Sequence, residues 1–337
     1  MANILLTYRC NLRCPYCFAN EFVGKENTDI TIENLLKVVS FITRTGPANI
    51  GLIGGEPTLH PGFPVIMELL IANPMVRGIR VSTNGLLIDH FINQLIHPKM
   101  DVCINCNSPN MIGEKAFSSL QKNLDLLILK YNMKEQIQLG INLYSNDLDY
   151  SFIMNLLQRY DIHRLRTSIT VPDFSSSNYL DAMDYFKERK KFLLQFYKDM
   201  ESIQVLPYSD CNRPPFCIWD DEEKQWLREY IAKFPDRHSN LTDPCSMCVP
   251  AIDILPDLQA IRCFGMSDFL KVPITDFSDL DDITHFFLNE IDADAYKLPT
   301  CADCKECHEF KTRHCIGCCI GYKASRIRSC NKAIANL

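Results

Sequence analysis

Six times within its first 171 residues the chain passes through a short apolar or alternating segment of strand length, at 4–8, 49–53, 78–82, 100–107, 136–143 and 164–171. Helical patterns fall between and after them. Thr31 is placed to cap a helix in which Ile32, Leu35, Leu36, Val39 and Ile42 repeat at helical spacing. Further helical stretches run over 63–72, 115–130, 150–160 and 179–200. Strands joined through helices cross over and line up parallel, so this pattern predicts an α/β fold with helices covering a parallel sheet. In βα folds the loops leaving the carboxyl ends of the strands carry the chemistry.

Those loops are rich in candidate ligands. After the first strand come Cys10, Cys14 and Cys17, spaced C-x3-C-x2-C. Three thiolates on one short loop can wrap one face of a cubane iron–sulfur cluster and leave the fourth iron open. A structural zinc site, the plainer alternative, wants a fourth Cys or His nearby, and none follows in the next forty residues. After the second strand stand Gly54, Gly55, Glu56 and Pro57. Two glycines allow close backbone approach to a ligand and a carboxylate can accept from an ammonium group, although an ordinary strand-to-helix turn has the same residues. The third strand ends in Ser82, Thr83 and Asn84 before Gly85, either a ligand-binding end or an Asn-Gly turn. In the fourth strand, period-two alternation puts Cys103, Asn105 and Asn107 on one face, read as inward, with Cys106 toward the covering helices. Cys103 and Cys106 are candidate hydrogen-atom donors or ligands, against the plainer reading as buried thiols. Asn142 near the end of the fifth strand is a further candidate.

Cys10, Cys14 and Cys17, with Tyr16 just before the last of them, resemble the signature of the radical S-adenosylmethionine (SAM) superfamily. The resemblance implies a [4Fe–4S] cluster on the three thiolates and SAM chelated by the open iron, whose reductive cleavage gives a 5′-deoxyadenosyl radical. Gly54-Gly55-Glu56-Pro57 is similar to the family's GGEP motif, implying contact with the SAM amino group. Ser82, Thr83 and Asn84 are similar to its ribose and carboxylate contacts, and Tyr16, Asn105 and Asn142 join them as cofactor-binding candidates. The resemblance also implies a partial (β/α)6 barrel, smaller than the eightfold barrel. The fourth strand lacks the Ser-x-Asp pattern of many relatives, so no catalytic acid is carried over.

From Cys245 to Cys330 the chain places ten of its 17 cysteines. Such density calls for clusters or zinc. Residues 248–263 read as two short strands around a Pro-Asp turn. Cys301, Cys304, Cys307, Cys315, Cys318, Cys319 and Cys330 follow. This half resembles a SPASM-type auxiliary domain, with two departures: Leu258 stands where Gly usually follows Pro-Asp, and Cys318 at the second glycine of C-x-G-G-C. The resemblance implies one auxiliary [4Fe–4S] cluster on Cys245, Cys248, Cys263 and Cys319 and another on Cys304, Cys307, Cys315 and Cys330. Cys301 and Cys318 are surplus and able to substitute, and a twitch-type domain with one cluster is the alternative. The expected division is a barrel over 1–205, a proline-bearing connector over 206–242 and a cysteine-rich domain over 243–337.

Composition narrows the function. A formal net charge of −6 disfavours a polyanionic partner, so nucleic acid is not expected. No basic targeting segment or membrane-length apolar run is present, and 17 cysteines, an odd number, suit a reducing compartment better than a disulfide framework. A cytoplasmic enzyme without a membrane partner is expected. Relatives of this kind imply hydrogen abstraction from a peptide or protein, foremost maturation of a ribosomal peptide by crosslink, thioether or epimerisation. Alternatives are a sulfatase-maturase-like enzyme, a small-molecule dehydrogenase, and outside catalysis an electron carrier or zinc scaffold. A reductant such as flavodoxin or ferredoxin is implied. The first strand begins at the N-terminus, so a separate leader-binding protein, or the barrel itself, is expected to recognise any leader peptide.

Overall fold

The computed structural model describes residues 2–24, 28–172, 181–243, 249–267, 269–298 and 300–325. Cys245, Cys248 and Cys330, and the expected helix start at 179–180, lie outside the described residues.

Along the chain run β1 (Ala2–Leu5), α1 (Ile32–Ile42), β2 (Ala48–Ile53), α2 (Phe63–Ala72), β3 (Val76–Thr83), α3 (Ile92–Leu95), β4 (Met100–Asn105), α4 (Pro109–Ile112), α5 (Glu114–Leu124) and β5 (Ile137–Leu143). Then come α6 (Ser151–Arg159), β6 (Arg164–Ile169), α7 (Ala182–Ser202), β7 (Leu206–Cys211), α8 (Asp221–Ala232), β8 (Asp253–Ile254), β9 (Gln259–Ile261), β10 (Lys271–Pro273), α9 (Leu280–Phe287), α10 (Ala293–Ala295) and α11 (His308–Lys311). The alternation of β1 to β6 with helices is the order of the partial (β/α)6 barrel. The chain divides into two compact units, residues 1–140 with 250–288, and residues 141–249 with 289–337.

In the first unit β1 to β5 are parallel in sequence order, with Ile4 opposite Leu52, Leu52 opposite Val81 and Val81 opposite Val102. Thr31 caps α1 by accepting from the Asn34 N–H at 3.1 Å. Leu35, Val38, Val39 and Ile42 are buried, each worth about 1.5–3 kcal/mol of transfer free energy. Leu36, expected in that stripe, is instead 49% exposed, because the buried face follows the i, i+3, i+4, i+7 spacing set by Leu35. Phe117, Leu120 and Leu124 of α5 are buried as expected, and the helix widens into a π-type turn over Asp125–Lys130 that buries Leu127 and Ile128.

The expected hairpin forms, but it is shared with the barrel sheet. β8 pairs antiparallel with β9 and parallel with β1, giving the order β10-β9-β8-β1-β2-β3-β4-β5 in this unit. Leu258, in the place of the usual glycine, adopts φ +68°, a left-handed conformation that an L side chain enters at a cost of roughly 1–2 kcal/mol. Asn3 Nδ2 donates to Asp253 Oδ1 at 2.7 Å, and Asn34 Nδ2 to the Pro256 carbonyl at 2.9 Å, tying the hairpin to β1 and α1.

In the second unit β6 and β7 are parallel, with Leu165 opposite Pro207. β7 and α8 occupy much of the segment expected to be a connector, since Leu206-Pro207-Tyr208 carries its apolar residues into a strand register that local sequence does not announce. Asp181 caps α7 by accepting from the Met183 and Asp184 N–H groups at 2.8 and 3.3 Å. Met183, Phe186, Leu193, Phe196 and Tyr197 are buried, and Tyr322 packs on Phe186 with ring centroids 5.3 Å apart. The charged run 187–191 stays at the surface, where Lys190 meets Glu223 at 2.6 Å.

Candidate iron–sulfur and SAM site

The cysteine loop is rooted where the second strand ends. Gly55 N donates to Thr7 O and Glu56 N to Arg9 O, both at 2.8 Å, so the two strand-end loops are zipped together. The glycines allow that approach: a Cβ on Gly55 would stand 2.2 Å from Arg9 O and 3.0 Å from Cys10 Cβ, and one on Gly54 would stand 2.9 Å from Thr7 O. Their role here is loop against loop. On the other side Ala19 and Phe22 pack with Leu5, Ile53, Leu255, Ile261 and Phe264, and Cys17 lies against this cluster. Phe264 directly follows Cys263, so the hairpin supports the loop from below.

Glu56 is buried, and its carboxylate is fully engaged. Oε1 accepts from Thr58 Oγ1 at 2.6 Å and Thr83 Oγ1 at 2.7 Å, and Oε2 accepts from Asn84 N at 2.8 Å. Burial pushes its pKa up, opposed by those same hydrogen bonds. Glu56 and Thr83, read from sequence as ligand contacts, thus join the ends of β2 and β3 to each other. Pro57 opens a short buried turn over Pro57–Leu59. Asn84 Nδ2 reaches Asn11 Oδ1 at 2.7 Å, joining β3 to the cysteine loop. Ser82 is half-buried opposite Cys103.

Tyr16 links the loop to β4. Its hydroxyl donates to Asn107 Oδ1 and accepts from Asn105 Nδ2 at 3.0 Å. The expected sharing of a face by Asn105 and Asn107 therefore has a partner, a loop side chain. Cys103 and Cys106 are both buried. Burial, and then the charge of Cys103, push the Cys106 thiol up to about 12, and its Sγ lies 3.6 Å from Ile104 O, as for core thiols held neutral. Asn142, the penultimate residue of β5, is half-buried and falls in the second unit.

Cys10, Cys14 and Cys17 are half-buried. Burial pushes all three thiols up. The charge of Cys17 acts on Cys10, and those of Cys17 and Cys10 act on Cys14, so the three stand within electrostatic reach of one another. Leu12 N–H points at Cys10 Sγ at 3.4 Å, and the neighbouring Tyr16 and Asn107 side chains oppose the effect of burial on Cys14. Among the described residues no three Cys, His, Asp or Glu side chains are gathered as ligands of a single metal ion. A tetrahedral zinc site needs that common point, whereas a cubane presents a separate iron to each thiolate. The donor set fits a cluster.

Several participants carried no sequence signal. Thr7 and Arg9 both bond Asp29, at 2.5 and 3.1 Å, which offsets the effect of burial and holds its carboxyl below the ordinary value. Asp29 lies in no motif. Asn11 lies inside the cysteine motif, between Cys10 and Cys14.

The cysteine-rich end forms a second gathering, within the second unit. Cys301 and Cys318 are buried, and Cys304, Cys307, Cys315 and Cys319 are half-buried. Cys301 is hydrogen-bonded to Cys304 and to Cys318, which pulls its pKa down, while Cys304 is pushed up. Gly317 N donates toward Cys315 Sγ at 3.3 Å and Gly321 N toward Cys319 Sγ at 3.4 Å. The surplus thiols Cys301 and Cys318 thus sit inside the group. Cys263, grouped with Cys319 by the resemblance, belongs to the first unit, 3.7 Å from the buried Arg262 guanidinium.

Comparison with known proteins agrees with this chemistry. Among curated proteins the chain is 29% identical to GTP 3′,8-cyclase of Chlorobaculum tepidum over 133 residues, 37% of this chain and 40% of that one. It is 27% identical to the molybdenum cofactor biosynthesis protein moc-5 of Caenorhabditis elegans over 172 residues, 44% of this chain and 29% of that one. The chain therefore spans less than half the length of these relatives. Among solved structures, anSMEcpe with bound AdoMet and the Kp18Cys peptide matches with a TM-score of 0.64 at 19% identity, covering 100% of this chain and 99% of that one. Streptococcus suis SuiB bound to the precursor peptide SuiA matches with a TM-score of 0.59 at 14% identity, covering 94% and 71%. These likenesses establish the shared fold. The Radical SAM superfamily profile matches residues 4–192, and with a thiol set suited to a cubane at the mouth of a partial barrel, the chain belongs to that superfamily of [4Fe–4S]- and SAM-dependent enzymes.

Proposed function

We propose that this radical SAM enzyme acts on a peptide or protein, most readily in maturing a ribosomally made peptide by crosslink, thioether or epimerisation. The observation that carries the reading is the fold likeness to anSMEcpe over the whole chain, cysteine-rich end included. When bound, the cluster and SAM supply a 5′-deoxyadenosyl radical able to abstract a hydrogen atom.

In this reading Cys10, Cys14 and Cys17 hold the cluster, and Tyr16, through Asn105 and Asn107, fixes the loop that carries them. Gly54, Gly55, Glu56 and Pro57, with Thr83 and Asn84, shape the backbone against which SAM lies; Ser82 and Asn142 are further contacts. Functionally, 1–205 is the catalytic barrel, 206–242 the connection and 243–337 the cysteine-rich part, although 250–288 packs with the first compact unit. The thiols of Cys245, Cys248, Cys263, Cys304, Cys307, Cys315, Cys319 and Cys330 are read as auxiliary cluster ligands. A reductant such as flavodoxin or ferredoxin, a leader-binding protein and a cytoplasmic setting complete the proposal. No helix among the described residues is long and apolar enough to cross a membrane.

A second reading rests on those curated relatives that are named GTP 3′,8-cyclase: the substrate would be a nucleotide. The test is anaerobic reconstitution, then dithionite and SAM with either deuterated Ser- and Cys-containing peptides or deuterated GTP. Deuterium recovered in 5′-deoxyadenosine from peptides supports the proposal, and label from GTP alone refutes it. Cys14→Ala is expected to abolish 5′-deoxyadenosine, and iron-replete wild-type protein that makes none would sink the radical chemistry itself.

A further inference from the structure

The sheet of the first unit has one polar face. Ile104 Cγ2 and Leu120 Cδ1 of α5 both flank Gly85, 2.9 and 2.6 Å from where its Cβ would stand, so Ile104 faces the covering helices and Cys103 and Asn105 face the other way. On that other face Asn105 Nδ2 meets Tyr16 of the cysteine loop at 3.0 Å. Register carries one row of the same face across five strands, through Asp253, Asn3, Gly51, Arg80 and Asp101. Its polar groups pair with each other: Asn3 Nδ2 with Asp253 Oδ1 at 2.7 Å and Arg80 Nη2 with Asp101 Oδ2 at 2.6 Å. The next row toward the carboxyl ends holds Ser82, Cys103 and Gln138.

Gln138 breaks the pattern. It is 9% exposed, and its Oε1 is buried with no hydrogen-bond partner, the only such side-chain nitrogen or oxygen among the described residues of the first unit. A glutamine in this segment can be satisfied by the fold: Gln136, two residues earlier, gives Nε2 to the His97 and Met100 carbonyls at 3.2 Å each. A buried acceptor left unpaired costs stability and returns nothing to the fold, so a donor from outside the fold accounts for it. Its place suits a substrate. Gln138 lies two strands from Ser82, about 10 Å at the usual strand spacing, and Ser82 belongs to SAM in the proposed reading. The next residue of β5 on the same face is Gly140, opposite Asn105, so no β5 side chain stands between Gln138 and the level at which the cysteine loop meets the sheet.

We propose that the Gln138 carboxamide binds the substrate main chain, Oε1 accepting the N–H and Nε2 donating to the carbonyl of one extended peptide residue. An extended residue turns its N–H and C=O to the same side, which matches the adjacent acceptor and donor of a carboxamide. A neutral side chain is also the one that can wait unpaired in a buried place, where a charged one could not. The assignment rests on the peptide reading and deepens it: Gln138 sets the register in which the peptide lies beside SAM, and so which residue meets the radical.

The test uses the reconstituted full chain, the deuterated Ser- and Cys-containing peptides, and singly N-methylated versions of those that give up deuterium. Gln138→Leu, similar in size but unable to pair, is expected to raise the peptide KM roughly tenfold with the KM for SAM unmoved. N-methylation at one peptide position should raise the wild-type KM by a similar factor and add nothing in Gln138→Leu. Because the fold makes no use of Oε1, the thermal midpoint of Gln138→Leu should not fall. An unchanged peptide KM overturns the assignment, as does a rise in the KM for SAM alone. A lower midpoint in both Gln138→Leu and Gln138→Met overturns it too, since the carboxamide is then satisfied within the fold, as by a buried water. Should Gln138→Leu alone fail to fold, Gln138→Met decides by the same readouts. Wild-type label transfer judges the peptide reading and the variants judge Gln138. Peptide label with an unmoved peptide KM in the variants leaves the reading and overturns Gln138. Deuterium from GTP alone, with the GTP KM raised tenfold in Gln138→Leu, refutes the peptide reading and keeps Gln138 as the residue that receives a substrate N–H.

Discussion

Replacing Gly55 by alanine tests how the strand-end loops are held. The added Cβ would stand 2.2 Å from Arg9 O and 2.7 Å from Arg9 C, and both are backbone atoms that cannot rotate aside. To bring the contact beyond 3.0 Å, the Thr7–Cys10 and Gly54–Glu56 segments must part. That movement acts directly on the 2.8 Å hydrogen bonds from Gly55 N and Glu56 N. Overpacking of this kind costs about 1–3 kcal/mol, and two lost hydrogen bonds add about 1 kcal/mol each, so a loss of about 3–5 kcal/mol is expected. At about 2–4 °C per kcal/mol for a unit of this size, the melting midpoint should fall on the order of 10 °C. Because the displaced segment roots Cys10, iron retention should fall as well. Gly62→Ala, whose Cβ would meet the His60 ring at 3.3 Å and Ile32 Cδ1 at 3.9 Å, side-chain atoms and not backbone, is the control and should lose little. Differential scanning fluorimetry and iron assay read both effects. A Gly55→Ala chain with wild-type midpoint and iron content would refute the zipped-loop account.

Other perturbations follow from the same geometry. Burial pushes the Asp253 carboxyl from an ordinary 3.8 to about 6, against the Asn3 hydrogen bond. Between those values the folded chain keeps a proton that the unfolded chain releases, so this group makes stability fall as pH rises from about 4 to about 6, by up to about 3 kcal/mol. Asp253→Asn should flatten that stretch of the urea-midpoint curve, and an unchanged slope would count against it. Tyr16→Phe removes the bonds to Asn105 and Asn107 and should cost about 1 kcal/mol for each, read by urea denaturation, with weaker retention of iron under chelator challenge. Leu258→Gly relieves a left-handed side chain and should stabilise the chain by about 1 kcal/mol, seen as a rise in the thermal midpoint; a fall would mean that Leu258 packing outweighs its backbone strain.

Much of the barrel is legible in sequence because its signals are local. Periodicity of two and of 3.6 marks the strands and helices, and Thr31 announces its helix start through a bond only three residues long. The C-x3-C-x2-C spacing carries chemistry for the same reason, since one short loop must bring its own thiols together. β7 escaped because a strand inside a proline-bearing segment is defined by its partner β6, not by its own alternation. Counting apolar residues places Leu36 in the core, whereas its exposure follows from the angular position of the buried face.

By itself the sequence determined the alternating α/β order, the three thiols of the first loop and a cysteine-rich end made for metal. Tertiary structure decided what those residues do for one another. Glu56 and Thr83 bond across strand ends, Gly55 admits a neighbouring backbone, and the 253–261 hairpin extends the barrel sheet at β1. The physical reason is range: propensity and spacing act over a few residues, whereas burial of a charge and closure of a backbone contact depend on atoms far apart in the chain.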